Sequence, residues 1–165
     1  MITISRATEV TDELVSALAV LVPQLSPSSP PPSEVDVAEI IAAPGRILFI
    51  ARDEGAGRDE DAGRDEGAGR DEGAGMIVGT LTLVTFRIPT GVRAWIEDVI
   101  VTEEVRGRGA GEALTRAALD AARQLGAKTV ELTSRPSRAV ANRLYQRIGF
   151  AARETNVYRY QLHGG

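Results

Sequence analysis

Residues 99–114 read VIVTEEVRGRGAGEAL. An apolar strand running to about Val101 gives way to a short polar link. Arg106-Gly107-Arg108-Gly109-Ala110-Gly111 follows, and then a long amphipathic helix begins. Glycine lets the backbone turn tightly and approach a ligand closely. A helix N-terminus presents N–H groups with no intrahelical acceptor, together with the positive end of the helix dipole. Strand, glycine turn and helix start therefore make a site for a phosphate or pyrophosphate, and Arg106 and Arg108 add positive charge. Two other glycine motifs fail. The dinucleotide fingerprint G-x-G-x-x-G needs glycine where Glu112 stands, and the G-K-[ST] ending of the P-loop is absent. A glycine-rich helix start with no ligand is the plainer reading of the same residues.

Downstream, Ala113, Leu114, Ala117, Ala118, Ala121, Ala122 and Leu125 recur at helical spacing and predict a helix over 109–125. KTVELTS (128–134) reads as a strand, 137–147 as a helix ended by Gly149, and NVYRYQ (156–161) as a last strand. Upstream lie three strands, AWIEDVIVT (94–102), MIVGTLTLV (76–84) and RILFIA (46–51), with 85–93 as a loop. At the N-terminal end, ITISRA (2–7) is a short strand. Thr11 caps a helix of roughly 12–22, with Leu14, Val15, Leu18 and Leu21 at helical spacing. SPSSPPPS (26–33) is a proline-rich connector, and Ser33 caps a second helix to about Ala42, before Pro44 and Gly45. Helices separating strands imply an α/β protein with a mixed sheet of about six or seven strands, covered by helices on both faces.

RDEGAG, RDEDAG, RDEGAG and RDEGAG start at Arg52, Arg58, Arg64 and Arg70. This repeat has no apolar residue larger than alanine. It cannot bury enough surface to offset the entropy of ordering, and disorder is expected. The chain reads as one domain, 1–165, interrupted by this hairpin-loop insert at 52–75. Closure entropy grows only logarithmically with loop length, so a fold tolerates such an insert. Calcium-binding β-helix repeats have nine residues and an apolar packing position, and this repeat has neither. The segment holds four arginines and nine acids, so the overall charge of −4 belongs mainly to it and the remainder carries +1. Global charge therefore says nothing about a cationic substrate.

The absence of cysteine excludes a disulfide scaffold, a thiolate metal site and a cysteine nucleophile. MITISRATEV lacks the basic and apolar regions of a signal peptide, and no run approaches the length of a membrane span. The expectation is a cytoplasmic protein with no membrane partner. Nucleic-acid binding through the Arg-Gly turn is disfavoured, because no aromatic residues interleave with the basic ones.

Residues 141–150 read ANRLYQRIGF. Here Ala141, Leu144 and Tyr145 resemble the A-x-x-L-Y helix of the GNAT N-acetyltransferase superfamily, closed by Gly149-Phe150. Arg106, Gly109 and Gly111 resemble its acyl-CoA-binding pattern [QR]-x-x-G-x-[GA]. With the element order, the resemblance covers nearly the whole chain once the repeat is treated as an insert. It implies a strand at 94–102 that splays from the strand at 128–134, with acyl-CoA entering the gap. Backbone groups of Val99, Ile100 and Val101 would pair with the pantetheine arm. The amides of Gly107, Arg108, Gly109, Ala110, Gly111 and Glu112 would cradle the pyrophosphate, and Tyr145 would sit near the thioester sulfur. Family members often carry asparagine seven residues before the tyrosine. Arg138 stands there instead, and Asn142 lies on the same helix at another spacing.

The implied reaction is acetyl transfer from acetyl-CoA, as co-substrate, to a primary amine of a small molecule or peptide, with no metal. It needs a neutral amine, donors for the developing oxyanion and a proton for the leaving thiolate. Backbone N–H groups of the splayed strand suit the second task and a tyrosine hydroxyl the third. The single histidine, His163, is the third residue from the C-terminus, so a base is sought among the acids of IEDVIV (96–101). Glu97 and Asp98 alternate along a strand and face opposite sides. Glu97 is the favoured base, acting through water, with Asp98 or solvent as alternatives. Without cysteine, direct transfer in a ternary complex is favoured over an acyl-enzyme. Trp95, Phe86 and Arg87 are considered as borders of the acceptor pocket, and Trp95 alternatively as packing. Dimers are common in the family, so a homodimer is one assembly it implies. The alternative function is a non-catalytic acyl-CoA sensor.

Overall fold

A computed structural model describes residues 1–55 and 75–162. They fall into two compact units, Met1–Thr133 and Ser134–Gly165. The disorder expected for the repeat concerns 56–74, which lie outside the described residues, as does His163.

In the first unit the elements run β1 (Ile2–Arg6), α1 (Asp12–Leu25), α2 (Glu34–Ala42), β2 (Arg46–Asp53), β3 (Met76–Ile88), β4 (Gly91–Val101), a short 3-10 turn (Glu103–Val105), α3 (Ala110–Gln124) and β5 (Val130–Glu131). The strands lie in sequence order, β1-β2-β3-β4-β5. The first four pair antiparallel, and β5 joins β4 in parallel. The sheet is mixed, as expected, but has five strands rather than six or seven. The 85–93 loop is instead the end of β3 and the start of β4, joined by a two-residue turn at Pro89 and Thr90.

Local chemistry fixes the helices. The Leu14 N–H donates to the Thr11 hydroxyl at 3.1 Å, capping α1. Ser33 and Asp36 exchange bonds in a capping box that starts α2, and those bonds hold the Asp36 carboxyl below its ordinary range. Leu14, Leu18 and Leu21 of α1 and Val37 of α2 bury against Leu48, Ile50, Ile77 and Ile100 on one sheet face. Phe49, Leu81, Leu83, Ala94 and Ile96 belong to the opposite face by strand alternation. Helix α3 covers that face. A methyl group added at Gly79, which pairs with Ala51, would come within 3.4 Å of Leu114 on α3. Small buried residues, Ala110, Ala118, Ala121 and Ala122, let α3 approach closely.

The second unit contains α4 (Ala139–Ile148) followed by a tail with no regular secondary structure. The strand expected at 156–161 is not formed, and 151–162 are exposed. Alternating residues make a strand only where a partner supplies the hydrogen-bond ladder.

Candidate active site

β4 pairs with β5 only at Ala94↔Val130 and Trp95↔Glu131, where Arg93 and Glu131 form an ion pair of 3.5 Å. Beyond Trp95, among the described residues, the edge of β4 that faces away from β3 has no strand partner. Val99, Ile100 and Val101, to which the resemblance assigns the pantetheine arm, lie along that stretch, although the Ile100 carbonyl turns to Gly79 of β3 and not to the open edge. On the other edge, Thr82 opposes Glu97 but Thr80 opposes Ile100, so β4 carries one extra residue there. This is a β-bulge. Asp98 takes a left-handed φ of 48° within it, the one positive φ outside glycine among the described residues. The bulge breaks the expected alternation, and Glu97 and Asp98 are both exposed. Glu97 shares a register row with Thr82 and Leu48, which places it on the α1–α2 face of the sheet. Phe86 is half exposed on β3, opposite Arg93 and next to the exposed Arg87.

The 3-10 turn carries the chain from β4 to α3. Gly107 and Gly109 have φ of 83° and 88°, a region where only glycine is at ease, and Gly109 is the N-cap of α3. A Cβ at either would meet nothing within 4 Å, so the space over the helix start is open. The first intrahelical bond comes from Ala113 to Gly109 at 2.9 Å, and the N–H groups of Ala110, Gly111 and Glu112 precede it. One expected member of the cradle is committed elsewhere, because the Arg108 N–H donates to the Val105 carbonyl at 3.2 Å. Its guanidinium is what Arg108 has left for an anion. The Arg106 side chain donates to Glu103 at 2.8 Å, and Arg116 pairs with Glu112 at 2.8 Å across one helical turn. The Thr102 hydroxyl, donating to Glu104, holds that carboxyl below its ordinary range.

The sequence does not single out Asp53, because the first RDEGAG unit is identical to later ones. β2 continues two residues past Ala51, through Arg52 and Asp53, so the insert's first two residues are sheet. The Asp53 carboxylate is fully buried. Its Oδ1 accepts the Gly55 N–H at 3.1 Å and lies 3.4 Å from the Met1 ammonium. Its Oδ2 lies 2.6 Å from an Arg108 guanidinium nitrogen without an aligned hydrogen bond. The Gly55 N–H, opposed by burial and helped by the two cations, holds the carboxyl below its ordinary range.

In the second unit, Gly149 ends α4 in the left-handed region. The Phe150 N–H donates to the Tyr145 carbonyl at 3.0 Å, a Schellman closure. The A-x-x-L-Y…G-F pattern is thus partly a helix terminus. Burial pushes the Tyr145 phenol above its ordinary value of 10.0, with Arg138 opposing. The Asn142 amide donates to the Arg135 carbonyl at 3.0 Å, which commits part of its donor capacity within this unit.

With this geometry in place, residues 27–150 match the Acetyltransferase (GNAT) family. The chain belongs to the GNAT family. It is 35% identical over 75 residues to N-alpha-acetyltransferase 30 of Schizosaccharomyces pombe, a match covering 46% of this chain and 49% of that relative. The chain thus spans about half the length of that curated relative. A Trypanosoma brucei acetyltransferase structure shares its fold, with a TM-score of 0.69, 23% identity and coverage of 98% and 100% of the two chains. The aminoglycoside N-acetyltransferase AAC(6')-Iy, solved with CoA, gives a TM-score of 0.71 at 17% identity, covering 98% and 95%. The open edge of β4 and the glycine turn both lie within the matched residues 27–150. Among the described residues there is no cluster of acids or histidine that could hold a metal and no helix long and apolar enough to cross a membrane.

Proposed function

We propose that this GNAT protein transfers an acetyl group from acetyl-CoA to a primary amine by direct attack in a ternary complex. The observation that carries this reading is the continuity of one strand edge with one helix start. Among the described residues, β4 beyond Trp95 has an edge without a strand partner, and its end leads within a few residues to the start of α3 and the N–H groups of Ala110 and Gly111. An extended pantetheine arm fits beside such an edge, and a pyrophosphate fits such a helix start.

Each step then has a residue. The bulge at Asp98 and Val99 interrupts the ladder to β3 and favours donation from β4 to the oxyanion formed as the amine attacks. Glu97, exposed on the α1–α2 face, takes the amine proton through water. Tyr145 returns a proton to the leaving thiolate. Its role rests on the family pattern and on a phenol that burial keeps protonated at neutral pH. Positioning the amine beside the thioester supplies much of the acceleration. The acceptor class is a small-molecule or peptide amine. The aminoglycoside enzyme supports the first and the N-alpha-acetyltransferase the second.

Melting with saturating acetyl-CoA, CoA or NADH tests the reading. At a hundredfold excess over Kd, acetyl-CoA and CoA should each raise the melting temperature by about 5–11 °C, and NADH should not. Thiol release is then screened against amines of both classes. No shift with any of the three ligands would remove the proposed donor.

A further inference from the structure

We infer that Asp53 is a positioning residue for the phosphate turn, acting through Arg108. This rests on the acetyl-CoA reading above. Arg108 lies between two left-handed glycines, and its own amide is already bonded to Val105. It therefore meets an anion with its side chain. A long, half-exposed guanidinium loses considerable rotamer freedom when it binds. Asp53 removes that freedom beforehand. The carboxylate is fixed at the end of β2 by the Gly55 N–H, and Ile2 opposite it in β1 holds the strand in register. Its Oδ2 has no aligned hydrogen-bond donor, so the Arg108 charge 2.6 Å away compensates it. Burial makes this anchor persistent, because a desolvated carboxylate does not readily give up its cation. The guanidinium has five N–H donors, and the nitrogen at Asp53 accounts for only part of them. The remainder can face a diphosphate while Asp53 holds the other end.

The test compares acetyl-CoA with acetyl-pantetheine, which has the same thioester and arm but no phosphates. Asp53→Asn keeps the shape and the acceptor for Gly55 while removing the charge. It should raise the KM for acetyl-CoA about tenfold, the worth of one charge-assisted contact, with kcat unchanged. kcat/KM for acetyl-pantetheine should not move. A purely structural role would lower kcat and affect both donors, and that result overturns the inference. So does an acetyl-CoA KM that is unchanged or lower, which would make Asp53 a competitor for Arg108. Should Asp53→Asn fail to fold, Arg108→Gln is compared with the Asp53→Asn/Arg108→Gln pair, which leaves no buried charge unpaired. The inference requires equal acetyl-CoA constants in those two proteins, and a further loss in the pair overturns it. Wild-type protein that binds neither acetyl-CoA nor CoA overturns the donor assignment itself. Wild-type binding with an unresponsive Asp53 overturns only the present inference.

Discussion

Phe150 closes on Tyr145 twice. Its N–H reaches the Tyr145 carbonyl at 3.0 Å, and the two rings meet edge to face at 5.8 Å between centroids. Both contacts involve backbone or ring, and neither uses the phenolic oxygen. Tyr145→Phe should therefore leave the end of α4 intact. Its expected signature is a melting temperature close to wild type, retained CoA affinity, and a loss of turnover of about 10²-fold or more. Steady-state kinetics beside calorimetric CoA titration checks it, and unchanged turnover would remove the general-acid role.

Gly109→Ala should separate binding from stability in a different way. The left-handed φ of 88° costs alanine about 1–2 kcal/mol, although no neighbour lies within 4 Å of the added methyl. That methyl would protrude over the open helix start. The expected result is a modest loss of melting temperature and a larger loss of CoA affinity, read by the same titration.

How much of this was legible beforehand depends on what kind of signal each element carries. The Thr11 and Ser33 caps, the α3 stripe and the Arg106–Gly111 turn are local patterns, and the structure has them where the residues indicated. The sequence indicates a nine-residue loop at 85–93, whereas pairing extends to Ile88↔Gly91, because a tight turn needs only Pro89 and Thr90 between two strands. KTVELTS promised seven residues of strand, but only Val130 and Glu131 pair, since pairing depends on where the neighbouring strand diverges. The Asp98 bulge was hidden by the assumption of strict alternation. Two consecutive acids in an otherwise apolar strand were its one trace. Asp53 was invisible for a different reason: its meaning comes from Arg108, 55 positions later.

Glu97→Gln removes a carboxylate without changing shape. If Glu97 accepts the amine proton, kcat/KM for the amine should fall by about 10²-fold while the KM for acetyl-CoA holds. The loss should shrink at higher pH, where more of the amine is already neutral. A loss independent of pH would reassign Glu97 to substrate binding.

Acid stability should report on Asp53. Its folded-state pKa lies below the ordinary 3.8, so its stabilising contribution is complete above that value and is lost as pH falls through the lower, folded one. Wild type should melt above Asp53→Asn near neutrality. The two curves should converge as pH drops below about 3.8. A gap constant down to about pH 2 would mean that the carboxylate's charge is not what stabilises the strand end.

Gly79 leaves no room for a side chain between β4 and α3. A methyl there would lie 2.7 Å from the Ile100 carbonyl oxygen and 3.2 Å from Val101. Gly79→Ala should destabilise by about 1–3 kcal/mol through overpacking, measurable by urea denaturation. Because the displaced carbonyl belongs to β4 between Val99 and Val101, turnover should fall as well.

Arg52 has a wider significance than one ion pair. It holds Glu13 through two bonds of 2.6 and 2.7 Å and donates to the Gly75 carbonyl at 2.9 Å, fastening the place where the repeat leaves the sheet to the place where it returns. Asp53 opposite Met76 completes that base. Each unit of the tract is encoded by a whole number of codons, so slippage during DNA copying adds or drops units in frame. A tract of any number of whole units would begin and end at this same fastened base, so its length can change without altering the sheet.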